Sequence, residues 1–324
     1  MRKVIFTIEP WPTKEPFNIT GYTFTEAKVL YVRIKEGQCS GQGEATGVYY
    51  LNETADSMLA QANSIKTKLE NGADRTELQT LLPSGGARNA IDCALWDLEA
   101  KLSGQSIWAL TGITPKETIT VNTVGIDTPQ GMADTARTFD TPHIKVKLDD
   151  KLVRERLQAI RSVQPNAEIV IDVNQGWTFE QLKAATPICV DLRIAMIEQP
   201  LPRGGDQMLE GYQSPIPLCA DESCLDSSEL DQAAQRYQMI NIKLDKTGGL
   251  TEALKLARKA KAQGLDLMVG NMLGTSLAMA PGFVVAQLCK FVDLDGALLL
   301  RDDRDSAMNY RDGKVSQPSP MLWG

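Results

Sequence analysis

A basic surface is the first thing this chain lacks. Its 324 residues hold 34 lysines and arginines against 41 aspartates and glutamates, a formal charge of −7. That balance argues against non-specific binding to nucleic acid or to an anionic membrane face, so no nucleic-acid partner and no membrane partner are expected. Long apolar runs are missing too. The N-terminal MRKVIFTIEPWP has neither the apolar stretch nor the small-residue cleavage site of a secretory signal. TSLAMAPGFVVAQL is short and interrupted by Pro281 and Gly282, which does not suit a spanning helix. A cytoplasmic protein is the expectation. Cysteine is sparse and scattered: Cys39, Cys93, Cys189, Cys219, Cys224 and Cys289 form no C-x-x-C pair and no zinc-like spacing. They are read as reduced, small core residues. Only one histidine, His143, is present.

What is present is an ordinary globular composition, 43% hydrophobic and 23% charged, on a chain long enough to bury a large core. From about residue 118, β-branched runs alternate with amphipathic stretches. TITVNTV, HIKVKL, EIVIDVN, IAMIEQP, PLCADE, MINIKLD, DLMVGN and FVDLDG read as eight strands. DKLVRERLQAIRSV and LTEALKLARKAKAQ read as helices between them. The alternation predicts an α/β fold, a parallel (β/α)7β barrel. The open doubly wound alternative is weakened because no G-x-G-x-x-G follows the first strand of the series. The first hundred residues place strand-like VIFTIEPWP and EAKVLYVRIKEG before helical ADSMLAQANSIKTKLEN and ARNAIDCALWDLEAKLSG, an α+β unit. The expected division is therefore 1–115 as a cap and 116–300 as the barrel. The polar tail 301–324 would return to the cap.

In such a barrel the working groups stand where strands run into loops. Lys145 and Lys147, Asp172 and Asn174, Glu198, Asp221 and Glu222, Lys243 and Asp245, and Asp293 and Asp295 occupy those places. From Lys147 the steps to Asp172, Glu198, Asp221 and Lys243 are 25, 26, 23 and 22 residues, each about one strand plus one helix. A lone strand-end acid is more often a helix cap or a surface charge. A regular series is harder to dismiss. Three converging carboxylates would repel one another without a compensating cation, and an all-oxygen set favours Mg2+ over Mn2+ or Ca2+. The bland alternative is a buried salt-bridge network with Lys145, Lys147 and Lys243, which adds little stability over apolar residues.

The second and sixth of eight strands lie opposite each other, so Lys147 and Lys243 would face one another across the cavity. That arrangement suits removal of a proton from one side of a carbon and its return to the other. A cation would hold a neighbouring substrate carboxylate, with Lys145 as a further donor to it. A lysine base needs its pKa lowered toward roughly 7–8, which a dication and the Lys145 charge both favour.

These motifs, ARNAIDCALWDLEAKLSGQ, KVK, DVN, EQPL, ADES, NIKLDKTGG and DLDG, resemble the enolase superfamily. Within its muconate lactonizing subgroup the likeness is strongest to dipeptide epimerases such as the L-Ala-D/L-Glu epimerases. It implies a Mg2+-dependent isomerase that inverts the α-carbon of the C-terminal residue of a dipeptide, with one Mg2+ per subunit. It makes Asp172, Glu198 and Asp221 the metal ligands and Lys147 and Lys243 the two bases. Asp293 and Asp295 would bind the α-ammonium, with Lys145 and Thr123 as further substrate contacts. The family's barrels often assemble as homo-oligomers. In the Ala-Glu enzymes an arginine of the cap's mobile loop meets the glutamate side chain. Here NITGYTFTEAK holds Phe24 instead, which suits a hydrophobic side chain. The competing reading shifts the loop register and gives the pairing to Lys14 or another cation. Rival activities on the same residues are N-acylamino acid racemisation, o-succinylbenzoate synthesis and muconate cycloisomerisation. A non-catalytic binding barrel is the rival of another class.

Overall fold

The structure, a computed structural model, describes residues 2–324. Strands β1 (Lys3–Ile19), β2 (Tyr22–Glu36) and β3 (Cys39–Ala45) form an antiparallel sheet in that order. The run VLYVRI in β2 is apolar on both phases because the strand is covered on both sides. Leu30, Val32 and Ile34 face the helices of the cap, whereas Ala27 and Val29 pack with Leu300. The helix Gly86–Ser103 lies directly across β3. A Cβ at Gly41 would collide with the Ala94 carbonyl, so this approach requires glycine there. The pairing of β1 with β2 is interrupted between Pro12 and Phe17, where Pro12 and Pro16 offer no N–H.

The second sheet is parallel and holds eight strands. They are β5 (Asn122–Val124), β6 (His143–Lys147), β7 (Glu168–Asp172), β8 (Ile194–Glu198), β9 (Leu218–Ala220), β10 (Met239–Lys243), β11 (Asp266–Gly270) and β12 (Phe291–Val292). Each falls within one of the eight runs expected from sequence. The sheet curls until its ends meet, since Val121 N donates to Val292 O at 2.9 Å. In the first run only Asn122–Val124 joins it. Thr118–Ile119, β4, instead pairs with the tail strand β14 (Lys314–Val315), itself paired with β13 (Tyr310–Arg311).

The helical alternation lapses in two connections. Between β8 and β9 only a single 3-10 turn, Gln207–Leu209, is present, and between β9 and β10 a four-residue helix, Leu230–Ala233. Pro200, Pro202, Gly204, Gly205 and Gly211 account for the first, since they break any helix in that stretch. The apolar stretch containing Pro281 forms the helix Ser276–Ala286, buried against the barrel. Among the described residues no helix is long and apolar enough to cross a membrane. The six cysteines are free. At the end of the chain, Trp323 Nε1 donates to Cys93 O at 2.9 Å and Gly324 N to Asp97 Oδ1 at 2.8 Å, both on the helix Gly86–Ser103.

Candidate active site

Inside the barrel the strands present two layers, set by the two-residue period of a β-strand. The lower is an apolar floor of Val121, Val170, Met196, Cys219, Met239, Met268 and Phe291. Two positions further along each of these segments, on the same face, stand Thr123, Asp172, Glu198, Asp221, Asn241, Gly270 and Asp293. Strand β6 contributes Lys145 and Lys147. His143 shares their face but sits at the other end of the strand, 3.3 Å from Glu168. The charged layer is thus confined to the C-terminal mouth, where loops can enclose a ligand.

The charges are tightly paired. The Lys145 ammonium, 1% exposed, stands 3.0 Å from Asp172 Oδ2, 2.8 Å from Glu198 Oε2 and 2.8 Å from Asp293 Oδ2. Lys147 donates to Asp172 Oδ2 at 2.6 Å and to Asn174 Oδ1 at 3.2 Å. Lys243 donates to Asp221 Oδ2 at 2.6 Å. The buried network weighed from sequence is therefore present. Burial raises the carboxyl of Asp172, but Lys145, Lys147 and Lys243 outweigh it and hold the group at about 2. Asp221 is likewise held far below the usual range: burial opposes this, and Lys243 and Lys246 prevail. Glu198 is raised, by burial and then by Asp172.

The electrostatics of Lys243 depend on what charge the acidic layer holds. Burial works to lower Lys243, yet Asp221, Glu198 and Asp172 more than offset it and leave the ammonium above its ordinary value. With protein charges alone, the balance runs opposite to what a base near neutrality needs. Positive charge added at those carboxylates would move it back.

Three buried oxygens of the acidic layer make no hydrogen bond: Glu198 Oε2, Asp221 Oδ1 and Glu222 Oε2. Glu198 Oε2 is close to Lys145, and Asp221 Oδ1 to Lys246 at 2.8 Å, but neither contact has hydrogen-bond geometry. Orphaned, desolvated carboxylate oxygens are the donor set a hard dication prefers, so the residues fit one in chemistry. Among the described residues, however, no three His, Cys, Asp or Glu side chains are already grouped as a cage. The Lys145 ammonium stands among Asp172, Glu198 and Asp293 and supplies the charge balance there.

Above this layer is a cavity of about 710 Å3, open mouth included. Lys147, Lys243, Thr123, Asp293, Asp295 and Phe24 line it. Lys145, Asp172, Glu198 and Asp221 do not line it and are almost fully buried. Counting along the sheet, three strands separate β6 from β10, so the two lysines enter from opposite walls of the closed ring. Asp295 accepts from Thr123 N at 2.7 Å and is pushed up to about 8 by burial and by Asp293. Asp293 is held down: burial raises it, and Lys145 more than compensates.

The β1–β2 hairpin closes the cavity from above. Its tip is tied to the barrel by Thr20 Oγ1, 3.1 Å from Leu148 O and 3.2 Å from Val173 O. This seats Phe24 against Tyr49, with ring centroids 5.2 Å apart, and brings Phe17 and Ile19 to the same wall. Neither Lys14 nor any arginine lines the cavity.

Several participants escaped the sequence reading. Asn241 donates to Glu198 Oε1 at 2.7 Å, and its position two residues before Lys243 on one strand face was the available signal. Lys246 donates to the carbonyls of Asp221, Cys224 and Asn241, but it lies on a short helix after β10, where no strand period points to it. Glu222, which the sequence already places at a strand end, is buried and pushed up to about 8, by burial and then by Asp221. Gly270 has a steric reason. A Cβ there would come within 2.7 Å of both Asn241 side-chain polar atoms and 3.0 Å of Lys243 Cε. Gly270→Ala should therefore displace Lys243 and lower kcat about a hundredfold, with a loss of stability of roughly 1–3 kcal/mol from overpacking. Steady-state kinetics beside a thermal melt checks this.

A barrel with acids and lysines at successive strand ends, beneath a cap of sheet and helices, defines a class of proteins. Residues 1–112 match the mandelate racemase / muconate lactonizing enzyme N-terminal domain, and residues 131–320 match the enolase C-terminal domain-like family. The chain belongs to the enolase superfamily, in its mandelate racemase/muconate lactonizing branch. It is 45% identical over 319 residues to the L-Ala-D/L-Glu epimerase of Escherichia coli strain K12, covering 97% of this chain and 99% of that one. Among solved structures, an enolase family member from Agrobacterium tumefaciens with homology to dipeptide epimerases superposes with a TM-score of 0.98. It is 40% identical, covers both chains fully, and holds sodium and L-Ala-L-Glu. A dipeptide epimerase from Cytophaga hutchinsonii, complexed with Mg and D-Ala-L-Val, is 26% identical with a TM-score of 0.89. That match covers 98% of this chain and 93% of the other.

Proposed function

We propose that this protein is a Mg2+-dependent dipeptide epimerase that inverts the α-carbon of the C-terminal residue of an L-Ala-Xaa dipeptide. The observation that carries the reading is the entry of Lys147 and Lys243 into one cavity from opposite walls, with Asp293 and Asp295 on the wall between them. One amine takes the α-proton from its side of the carbon, and the other ammonium returns a proton from the opposite side, so the substrate leaves inverted with no net proton change. Asp293 and Asp295 hold the substrate α-ammonium, a use that favours the charged form of Asp295. Thr123 lines the same end of the cavity. Asp172, Glu198 and Asp221 would hold one Mg2+ per subunit. When bound, it supplies Lewis-acid charge for the substrate carboxylate and for the negative charge that follows proton loss. Lys145, buried beside Asp172 and Glu198, adds positive charge there.

The same reading divides the chain near residue 115, with 301–324 assigned to the cap. Trp323 and Gly324 bonding to the helix Gly86–Ser103 support that assignment.

For Xaa we propose glutamate or a hydrophobic residue. Relatives that act on or bind Ala-Glu support the first, and the wall of Phe17, Ile19, Phe24 and Tyr49 supports the second. A dipeptide library incubated in D2O and read by mass spectrometry tests both the activity and the preference. Deuterium should enter the α-position of Ala-Xaa peptides; labelling of N-acylated amino acids alone would overturn the dipeptide reading. Phe24→Arg should shift the ratio of kcat/KM for Ala-Glu over Ala-Leu toward glutamate by roughly thirtyfold, the worth of one charge-assisted pair.

A further inference from the structure

A second buried ion pair, Glu44 with Arg304, adjoins segments that line the cavity, and the proton transfer does not use it. Glu44, at the end of β3, is 1% exposed. Its Oε1 accepts from Thr275 N at 2.7 Å, and its Oε2 accepts from Thr275 Oγ1 and Arg304 Nε, each at 2.7 Å. Arg304 also donates to Glu9 Oε2 on β1 at 2.7 Å, and its guanidinium lies over the rings of Trp11 at 5.1 Å and Tyr31 at 4.8 Å. The preceding Asp303 accepts from Ser276 N at 2.8 Å and from Ser276 Oγ at 2.6 Å. Four separate pieces of chain, β1, β3, the segment after β11 and the C-terminal tail, are thus gripped at one point.

The segments gripped are the ones that form the wall. Two residues beyond Glu44, Thr46 Oγ1 donates to the Leu273 carbonyl, and Gly47 N donates to Asp245 Oδ1 at 2.9 Å. Thr46, Gly47, Met272 and Leu273 all line the cavity. A buried carboxylate that loses its cation is left desolvated and uncompensated, and the backbone around it relaxes to find water. The lysines are held by a different set of acids and would stay in place.

We propose that Arg304 is a positioning residue for the substrate, acting through Glu44 and Thr275 to hold the wall formed by Thr46, Gly47, Met272 and Leu273. The inference rests on the reading of this cavity as the dipeptide site. Its effect falls on binding rather than on proton transfer, because the wall meets the substrate body while Lys147 and Lys243 meet the α-carbon.

The test is steady-state epimerisation by full-length Arg304→Met, using the dipeptide that the unaltered enzyme turns over best. KM should rise about tenfold with kcat held within about twofold, the signature of binding lost equally from the substrate and the transition state. Arg304→Lys should recover most of the loss, since an ammonium can still reach Glu44. Unchanged KM, or a fall in kcat as large as the rise in KM, overturns the proposal. Glu44→Gln, which keeps the side-chain shape, carries the same test should the methionine variant not fold. Hydrogen exchange without substrate separates this inference from the functional reading. In the variant the Thr275 amide should exchange faster while amides of β6 keep their protection. Should the unaltered enzyme turn over no dipeptide, the functional reading fails, and Thr275 exchange still decides whether Arg304 orders the wall. Unchanged Thr275 exchange overturns the clamp.

Discussion

Lys147→Ala is expected to abolish epimerisation, by at least about a thousandfold in kcat, while leaving solvent exchange at the α-carbon of one substrate stereoisomer intact. Lys243→Ala should do the same with the stereoisomers reversed. The asymmetry follows from the geometry: each amine reaches the α-carbon from its own wall, so removing one leaves the other able to take and return a proton on its own side. Epimerisation needs both. These variants should also fold, which makes the experiment clean. Asp172 keeps Lys145 at 3.0 Å when Lys147 is lost, and Asp221 keeps Lys246 at 2.8 Å when Lys243 is lost, so neither carboxylate is stranded. Deuterium wash-in from each pure stereoisomer, followed by mass spectrometry, reads the result. Equal residual exchange from both isomers in either variant would refute the two-sided assignment.

Removal of divalent metal is expected to have a comparable effect. Dialysis against a chelator should lower activity at least about a thousandfold, and Mg2+ should restore it. The acidic layer is the reason. Asp172, Glu198 and Asp221 are wholly buried, and two of them carry an oxygen without a hydrogen bond. A network of this kind has apolar competitors of equal or better stability, so its presence calls for a use beyond folding. Asp221→Asn preserves the shape but removes a charge. It should weaken Mn2+ binding at least about tenfold, measured by electron paramagnetic resonance without any turnover. Full activity after exhaustive chelation would remove the metal from the proposal.

Much of the site was legible because a β-strand repeats every two residues and a strand plus its crossover repeats at nearly constant length. Those two periods place Lys147, Asp172, Glu198, Asp221 and Lys243 at the same end of the barrel without any coordinates. The same logic identifies Asp293 and Asp295 just past the last strand. It also overstates regularity. The connections around β9 are nearly helix-free, and the start of the first run, Thr118–Ile119, pairs with the tail rather than with the barrel. Prolines and glycines signalled the first departure before β9 but not after it. The second depended on a strand that arrives 195 residues later in the chain, from Ile119 to Lys314.

Sequence alone determined which side chains point inward and at which mouth, since that is a property of each strand's own backbone. It also determined that the acids are all-oxygen donors with lysines for company. Tertiary structure decided which lysine meets which acid. Lys145 is buried among Asp172, Glu198 and Asp293, while Lys147 and Lys243 line the cavity. Lys246 comes off a helix to share Asp221, and Gly270 leaves room for Lys243 to stand. Tertiary structure also decided that Phe24 faces the cavity and that Arg304 reaches Glu44. Contacts of this kind are made across the barrel or between cap and barrel, between residues whose separation in the chain has no period, and only the packing of the folded chain sets them.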